Sequence, residues 1–258
     1  YRIGIGAPSG PLLAGAEFIV TPATNVIQQD LTLDQGASVN GHVYAADGAT
    51  PCTNAAVALV SDGQVIADAL TDTQGAYALR VVSPGQYSFV ARSPELTFAA
   101  KDEVAVTPGA DLANVDFVAG TNHLVVRVLA PGGAEVLGGA GLVLKSADGS
   151  SAALVRRLGS TAVDGRWTFT NLPAGNYRLT VHPTEAARTE ALVTVTDGET
   201  TCDIVVDPGR EIVGQVVADG APQAGIPVIA RELDRAWTFR EMTDARGEYR
   251  LTSLPAGR

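Results

Sequence analysis

Residues 165–177 read GRWTFTNLPAGNY, and the same pattern returns as GAYALRVVSPGQY at 75–87 and as GEYRLTSLPAGR at 247–258. In each stretch a glycine precedes an aromatic residue by two positions, and an alternating segment then leads into a turn that contains proline and glycine. Alternation with a period of two is typical of a β-strand. The pattern therefore predicts three copies of one strand–turn–strand unit.

The first residues of the chain supply what the third copy lacks. Residues 1–5 (YRIGI) resemble residues 177–181 (YRLTV), and residues 17–36 parallel residues 191–209. Equivalent tyrosines at positions 1, 87 and 177 are spaced by about 86 residues, and the next would fall one position after Arg258. We therefore expect three repeats of about 86 residues, one of them split between the two termini.

The segments between these motifs also read as strands. Alternating runs are separated every 8–12 residues by turn signals such as ADG, SPG, TDG and DPG, in which glycine and aspartate favour tight turns. This spacing predicts an all-β chain of tandem Greek-key β-sandwiches. The expected domains are the C-terminal strands of a split sandwich at 1–35, complete β-sandwiches at 36–120 and 121–209, and the N-terminal strands of a split sandwich at 210–258. Short linkers between them favour a stiff rod.

A family resemblance follows from the same residues. Thr-Asp-x-x-Gly-x-Tyr occurs at 71–77 and 243–249, and Leu-Pro-x-Gly occurs at 172–175 and 254–257. These motifs resemble the carboxypeptidase regulatory-like domain and its relatives, the collagen-adhesin B-type repeats and the transthyretin-like (prealbumin-like) sandwich. The resemblance implies a β-sandwich that serves as a stalk, a spacer or an adhesive repeat on secreted or surface proteins.

The middle copy departs from the first motif. Asp164 directly precedes Gly165, which suggests a loop two residues shorter than in the other copies. Asp72, Asp164 and Asp244 are weak calcium candidates, because calcium takes about six to eight oxygen ligands and each loop offers a single aspartate. The alternative is an Asx turn that closes a hairpin, and it fits the spacing better.

Composition argues against several partners. The net charge of −10 disfavours nucleic acid and anionic lipid surfaces, which both require basic residues. No apolar run is long enough to cross a bilayer, so membrane insertion is not expected. The three histidines, at 42, 123 and 182, have neither metal-ligand spacing nor a nucleophile motif beside them. The expectation is a chain without enzymatic activity and without a cofactor.

The sequence contains two cysteines and two tryptophans, which are candidates for crosslinking and for ligand binding respectively. Cys52 lies in a turn-like segment expected to be exposed, where it could form an intermolecular crosslink, stay free or pair with Cys202. Cys202 reads as a small buried apolar residue. Trp167 shares the repeat position of Tyr77 and is expected in the core, whereas Trp237 has no counterpart and is the candidate for stacking on a ligand.

These features favour a non-catalytic structural protein, extracellular or on the cell surface, that is the repeating unit of a rod, stalk or filament. Its expected partners are copies of itself, joined head to tail by strand completion. In this prediction the Tyr1–Ile5 strand, with Ile3, pairs beside the strand of Tyr249 and Leu251, and Tyr1 follows Arg258 in space. A closed ring of three sandwiches, or a longer covalent chain of repeating units, would account for the same completion of the split sandwich. The alternative function is an adhesive or carbohydrate-binding accessory module of a larger secreted protein, with a glycan or surface ligand near Trp237.

Overall fold

The computed structural model describes residues 2–6, 12–17, 28, 30, 36–147 and 156–258, with the backbone alone for 2–6, 12–17 and 81. Every regular element in these residues is a β-strand, which confirms the predicted all-β class. None of the described residues forms a helix of the length and apolarity needed to cross a membrane. The first two strands, β1 (Arg2–Gly6) and β2 (Leu12–Glu17), form an antiparallel hairpin.

Residues 36–120, the first sandwich, contain eight strands in two sheets. These strands are β3 (Ala37–Tyr44), β4 (Ala56–Ser61), β5 (Gln64–Leu70), β6 (Ala76–Val82), β7 (Gly85–Arg92), β8 (Lys101–Val106), β9 (Asp111–Leu112) and β10 (Phe117–Val118). In one sheet β3 pairs antiparallel with β6 and parallel with β9 and β10. The other sheet has the order β5-β4-β7-β8 and is antiparallel throughout.

Residues 121–209, the second sandwich, repeat this arrangement with seven described strands. They are β11 (Asn122–Leu129), β12 (Gly141–Ser146), β13 (Arg156–Ser160), β14 (Arg166–Leu172), β15 (Gly175–His182), β16 (Thr189–Val195) and β17 (Glu199–Val205). One sheet has the order β14-β11-β17, with β17 parallel to β11. The other has the order β13-β12-β15-β16.

Residues 210–258, the open unit, contain the last six strands. They are β18 (Arg210–Gln215), β19 (Val217–Ala218), β20 (Ala221–Pro222), β21 (Pro227–Arg231), β22 (Thr238–Met242) and β23 (Glu248–Leu254). Among the described residues they pair two by two, as β18-β23, β19-β20 and β21-β22.

Each of the two sandwiches has its own apolar core between its sheets. The central strands β3 and β11 alternate strictly between buried and half-buried residues, as the period of two predicts. The first core includes Val39, Val43, Val57, Leu59, Leu79, Phe89, Phe98 and Phe117. The second includes Leu124, Val126, Val128, Leu142, Leu144, Phe169, Leu179 and Val181.

The motif glycine is required by a close backbone approach. Gly75, Gly165 and Gly247 all have φ near +71°, and a Cβ at these positions would lie 2.6–2.8 Å from a carbonyl oxygen of the neighbouring strand. An L-residue is strained in this conformation and would also clash. The recurring glycine of the sequence motif therefore follows from backbone geometry.

The structure corrects the expected length of the middle loop. The Gly165 amide donates to the carbonyl of Ala162, as the amides of Gly75 and Gly247 donate to the carbonyls of Asp72 and Asp244. The three loops therefore have the same length. Ala162 occupies the loop position that Asp72 has in the first sandwich, and Asp164 stands two positions later in the same loop.

Candidate functional site

The open unit has the same local frame as the two sandwiches. The Val216 amide donates to the carbonyl of Gly247 at 2.8 Å, and the Val128 amide donates to the carbonyl of Gly165 at the same distance. Strand β18 therefore corresponds to β11, and β23 corresponds to β14. The bond from Thr243 to Ile226 matches that from Thr161 to Ala140, so β21 corresponds to β12.

Two strand edges of the open unit have no partner among the described residues. In the second sandwich β11 is flanked by β14 and β17, and β12 is flanked by β13 and β15. In the open unit β18 pairs with β23 alone, and β21 pairs with β22 alone. Such unpaired edges present free backbone N–H and C=O groups that can template another strand.

The side chains beneath these edges are more exposed than their equivalents. Ile212 is 48% exposed, whereas Leu124 and Val39 at the same position are fully buried. Val216 and Val228 are half-buried, whereas Val128 and Leu142 are buried. Apolar side chains on the inner face of the open unit are thus partly in contact with solvent.

Two cavities lie against the strands of the open unit. The larger, about 590 Å³, is bordered by Gly214, Glu241 and Tyr249. The smaller, about 120 Å³, is bordered by Ile212, Glu232, Phe239, Leu254 and Arg258. Glu232 is 8% exposed, and its Oε1 accepts no hydrogen bond in the described structure.

The residues predicted to take part in assembly differ in their burial and in their contacts. Leu251 is buried and Tyr249 half-buried, both on β23. The Arg258 carbonyl accepts from the Leu233 amide at 2.6 Å, and its guanidinium approaches Asp234 at 3.3 Å. Ile3 and Ile5 lie in β1, of which only the backbone is described, and Tyr1 lies outside the described residues. The proximity of Tyr1 to Arg258 therefore stays a prediction.

The strand topology changes the expected pairing of the Tyr1–Ile5 strand. Its equivalent in the second sandwich, β15, pairs with β12 and β16 and belongs to a different sheet from β14. This correspondence predicts a place beside β21, across the core from β23, whereas the described pairing of β1 is with β2. The sequence neighbours β14 and β15 are joined by a tight turn, but that turn crosses from one sheet to the other.

The three motif aspartates act in turns. Asp72 Oδ1 accepts from the amides of Gln74 and Ala76, and Asp244 Oδ1 accepts from those of Arg246 and Glu248. Asp164 accepts one such bond, from the Arg166 amide. These bonds support the Asx-turn interpretation. Among the described residues, no group of three or more His, Cys, Asp or Glu side chains could hold a metal ion.

Cys52 is less exposed than the sequence suggested. It is half-buried against the first core, and its carbonyl accepts from Thr71 Oγ1 at 2.5 Å. Cys202 is half-buried against the second core. Both are free thiols, and burial raises the pKa of each. A raised pKa lowers the thiolate fraction, so neither cysteine is activated for exchange.

Trp167 lies at the rim of the core rather than inside it. Tyr77 and Tyr249 face Gly41 and Gly214 across the strand pair, whereas Trp167 faces the buried Val126. Because Val126 fills the space that the glycines leave open, the indole extends over Gly159 instead. Trp167 remains 38% exposed.

Trp237 contacts other side chains of the protein. Its indole is half-buried, and two guanidinium groups lie over the ring, that of Arg235 at 4.9 Å from the centroid and that of Arg188 at 5.0 Å. Arg188 comes from the second sandwich, so this contact joins that sandwich to the open unit. The ligand-stacking role of Trp237 stays a prediction.

Sequence reasoning missed a buried threonine in each unit. Thr71, Thr161 and Thr243 are at most 5% exposed. Each hydroxyl accepts from a backbone amide at the start of a strand and donates to a carbonyl in the preceding loop. A signal was available, because a threonine stands four residues before each motif glycine.

Comparison with known proteins gives one family match. No curated protein sequence matches this chain. Among solved structures, the Bacillus anthracis TIE protein is 14% identical with a TM-score of 0.30, over 86% of this chain and 44% of its own. The Streptococcal ancillary pilin is 16% identical with a TM-score of 0.34, over 79% and 73%. The minor pilin GBS52 of Streptococcus agalactiae is 15% identical with a TM-score of 0.34, over 66% and 95%. This chain therefore spans less than half of the TIE protein's length.

The family match agrees with the motif at residues 71–77. The model of the carboxypeptidase regulatory-like domain matches residues 38–120, which cover β3 to β10 and the first core. The resemblance drawn from the sequence motifs is confirmed for this part of the chain. Residues 38–120 are thus similar to the carboxypeptidase regulatory-like domain.

Proposed function

We propose that this chain is a non-catalytic structural protein of the cell surface or extracellular space, the repeating unit of a rod or filament. Successive units join head to tail when strands from residues 1–35 of one copy complete the open unit, residues 210–258, of the next. The observation that carries the proposal is the exposure of Ile212, whose equivalents Leu124 and Val39 are fully buried.

The second sandwich provides the register for this completion. There Leu179 lies opposite Leu144, and Val181 lies opposite Leu142. Transferred to the open unit, the correspondence places Ile3 opposite Ala230 and Ile5 opposite Val228. The two isoleucines would then point into the half-open core from the free edge of β21.

The parallel strand of the second sandwich supplies the other contact. Ile204 of β17 lies opposite Val128 of β11, and both are buried. The sequence DLTLDQG at 30–36 resembles DIVVDPG at 203–209, so Leu31 is the counterpart of Ile204. It would lie beside Val216, at the free edge of β18.

Burial of apolar side chains in a completed core is the energetic gain expected from this contact. Full burial of a large aliphatic side chain contributes about 1.5–3 kcal/mol, and several such side chains would pass from exposed to buried together. Backbone pairing along two strand edges adds to this, as in other cases of β-strand addition.

Sedimentation of the full chain over a wide range of protein concentration tests the proposal. The native sequence is expected to form a ladder of oligomers. Ile212→Asp is expected to abolish the ladder, because a carboxylate would enter the completed core. Ile3→Asp is expected to do the same from the other side of the contact.

Val213→Asp is the matched control, because Val213 is the next residue on β18 and is 60% exposed on the outer face. A native chain that stays monomeric at every concentration would overturn the proposal, as would equal effects of the Ile212 and Val213 variants. The mass of the denatured, reduced native material distinguishes separate copies from a longer covalent chain, in which following residues would complete the open unit.

A further inference from the structure

A cleft lies between the first and second sandwiches, outside the open unit. Its volume is about 370 Å³, within the range of small-ligand sites. One wall comes from the end of β7 and the segment after it, with Arg92, Leu96 and Thr97, and the other from β13, with Arg157 and Leu158. Arg156 also borders the cleft. The sequence motifs gave no sign of it.

The cleft is bordered by basic side chains, although the protein as a whole is acidic. Three arginines border it, although the chain carries a net charge of −10. Among the described residues no carboxylate lies within ion-pair distance of Arg92, Arg156 or Arg157. Glu95 is the acidic side chain that acts on Arg157 electrostatically.

Arg157 is partly withdrawn from water without a matching counter-charge. Its Nη1 donates to the Pro94 carbonyl at 3.2 Å, which spans the boundary between the sandwiches. Burial lowers the pKa of this guanidinium, and the charge of Glu95 acts in the opposite direction. A guanidinium carries several N–H donors in a planar fork, so one bond to a neutral carbonyl leaves others free for an anion.

A buried hydroxyl at the cleft also has no partner. Thr97 is 4% exposed, and its Oγ1 makes no hydrogen bond in the described structure. The bridge between Arg92 and Thr97 places these two residues directly opposite each other on neighbouring chain segments. Buried polar atoms are nearly always hydrogen-bonded, so Thr97 Oγ1 is an unused donor and acceptor beside this basic cleft.

We propose that this cleft binds an organic anion of about monosaccharide size, such as the uronic acid unit of an acidic polysaccharide. The carboxylate meets the guanidinium groups of Arg156 and Arg157, and a ligand hydroxyl bonds Thr97 Oγ1. The apolar face of the sugar ring lies against Leu96 and Leu158, of which Leu158 is 61% exposed. A bare oxyanion would leave these leucines without a contact.

Titration of the full chain with sodium glucuronate tests the site, followed by NMR chemical shifts and calorimetry. The shifts are expected to centre on residues 92–98 and 156–158, and neutral glucose is expected to bind far more weakly. Arg157→Gln and Thr97→Val are each expected to weaken glucuronate binding about tenfold, the effect of losing one charge-assisted or one well-placed hydrogen bond. Thr97→Ser, which keeps the hydroxyl, is expected to bind like the native chain.

Arg250→Gln is the control, because Arg250 pairs with Glu211 in the open unit. Thermal unfolding of every variant separates loss of binding from loss of folding, and Arg156→Gln tests the site without touching the bond to Pro94. Binding that survives both the Arg156 and Arg157 variants would overturn the proposal, as would equal weakening by Arg250→Gln. Inorganic sulfate that binds as well as glucuronate would overturn the assignment to a sugar acid.

Discussion

At the scale of single residues, two kinds of polar side chain stabilise the loops: the buried threonine of each unit, and Asp47 in a surface turn. The threonine four residues before each motif glycine ties a strand start to the preceding loop through its hydroxyl, as Thr161 does with the Ala140 amide at 2.9 Å and the Leu137 carbonyl at 2.9 Å. Asp47 gathers three donors in a surface turn, from Ala49 and Thr50. In both cases a side chain satisfies backbone or hydroxyl groups that strand pairing leaves over.

Thr161→Val is expected to destabilise the second sandwich by about 1–3 kcal/mol, because the buried Ala140 amide and Leu137 carbonyl would lose their partner. Hydrogen exchange of the amides in β12 measures this loss. Thr161→Ser keeps the hydroxyl and should retain most of the stability. Thr168→Val, on the exposed face of β14, is the matched control, and an equal loss there would contradict the role of the hydroxyl.

Asp47 is expected to titrate with a pKa of about 2, because the Thr50 hydroxyl and the Thr50 and Ala49 amides stabilise its carboxylate. A carboxyl whose folded pKa is depressed stabilises the folded state above its unfolded pKa, near 3.8. That contribution is lost as the pH falls from about 4 through 2. NMR titration of the side-chain carboxyl measures the midpoint, and Thr50→Val should raise it whereas Thr50→Ser should not.

At the scale of elements, the same strand has different surroundings in different units. Strands β3, β11 and β18 each start with a bulge against their antiparallel partner, at Ala37/Val39, Asn122/Leu124 and Arg210/Ile212. The residue opposite the bulge adopts a positive φ in two of them, 58° at Asn171 and 55° at Ser253. Local geometry is therefore the same in all three units, and the difference lies in the partner on the other edge.

Leu124 and Ile212 form a matched pair that separates local structure from burial. Leu124→Ala is expected to destabilise the second sandwich by about 2–5 kcal/mol, because the side chain is fully buried. Ile212→Ala is expected to cost less than about 1 kcal/mol in the dilute, unassembled chain, because its side chain is already half exposed. Hydrogen exchange in β11 and β18 measures both, and equal losses would contradict the exposure of the β18 edge.

At the scale of the whole molecule, contacts between units are few and specific. Arg157 reaches the Pro94 carbonyl between the first and second sandwiches, and Arg188 reaches the rings of Trp237 and Phe239 between the second sandwich and the open unit. Arginine suits both places, because its planar guanidinium stacks on aromatic rings and bonds carbonyl oxygens. Such contacts connect neighbouring units through arginine side chains.

Arg188→Ala is expected to loosen the junction between the second sandwich and the open unit, since cation–π contacts of this kind contribute about 0.5–2 kcal/mol. NMR relaxation should then give different rotational correlation times for the two units, whereas similar times are expected in the native chain. Arg178→Ala removes an ion pair with Glu190 inside the second sandwich and serves as the control. Identical relaxation in the Arg188 variant and the native chain would contradict the role of this contact.

The motifs and their alternation determined the all-β class, the family resemblance of residues 38–120 and the turn glycines, because these depend on neighbours within a few residues. The tertiary structure alone decided that β15 pairs with β12 rather than with β14, that Trp167 turns toward Gly159, and that Arg92, Thr97 and Arg157 meet at one cleft. Alternation marks which face of a strand is apolar, but it carries no information on which strand lies at its edge. That choice depends on how two sheets pack around a shared core, so only the folded arrangement reveals that β18 and β21 each have one edge without a partner in the part of the chain that the structure describes.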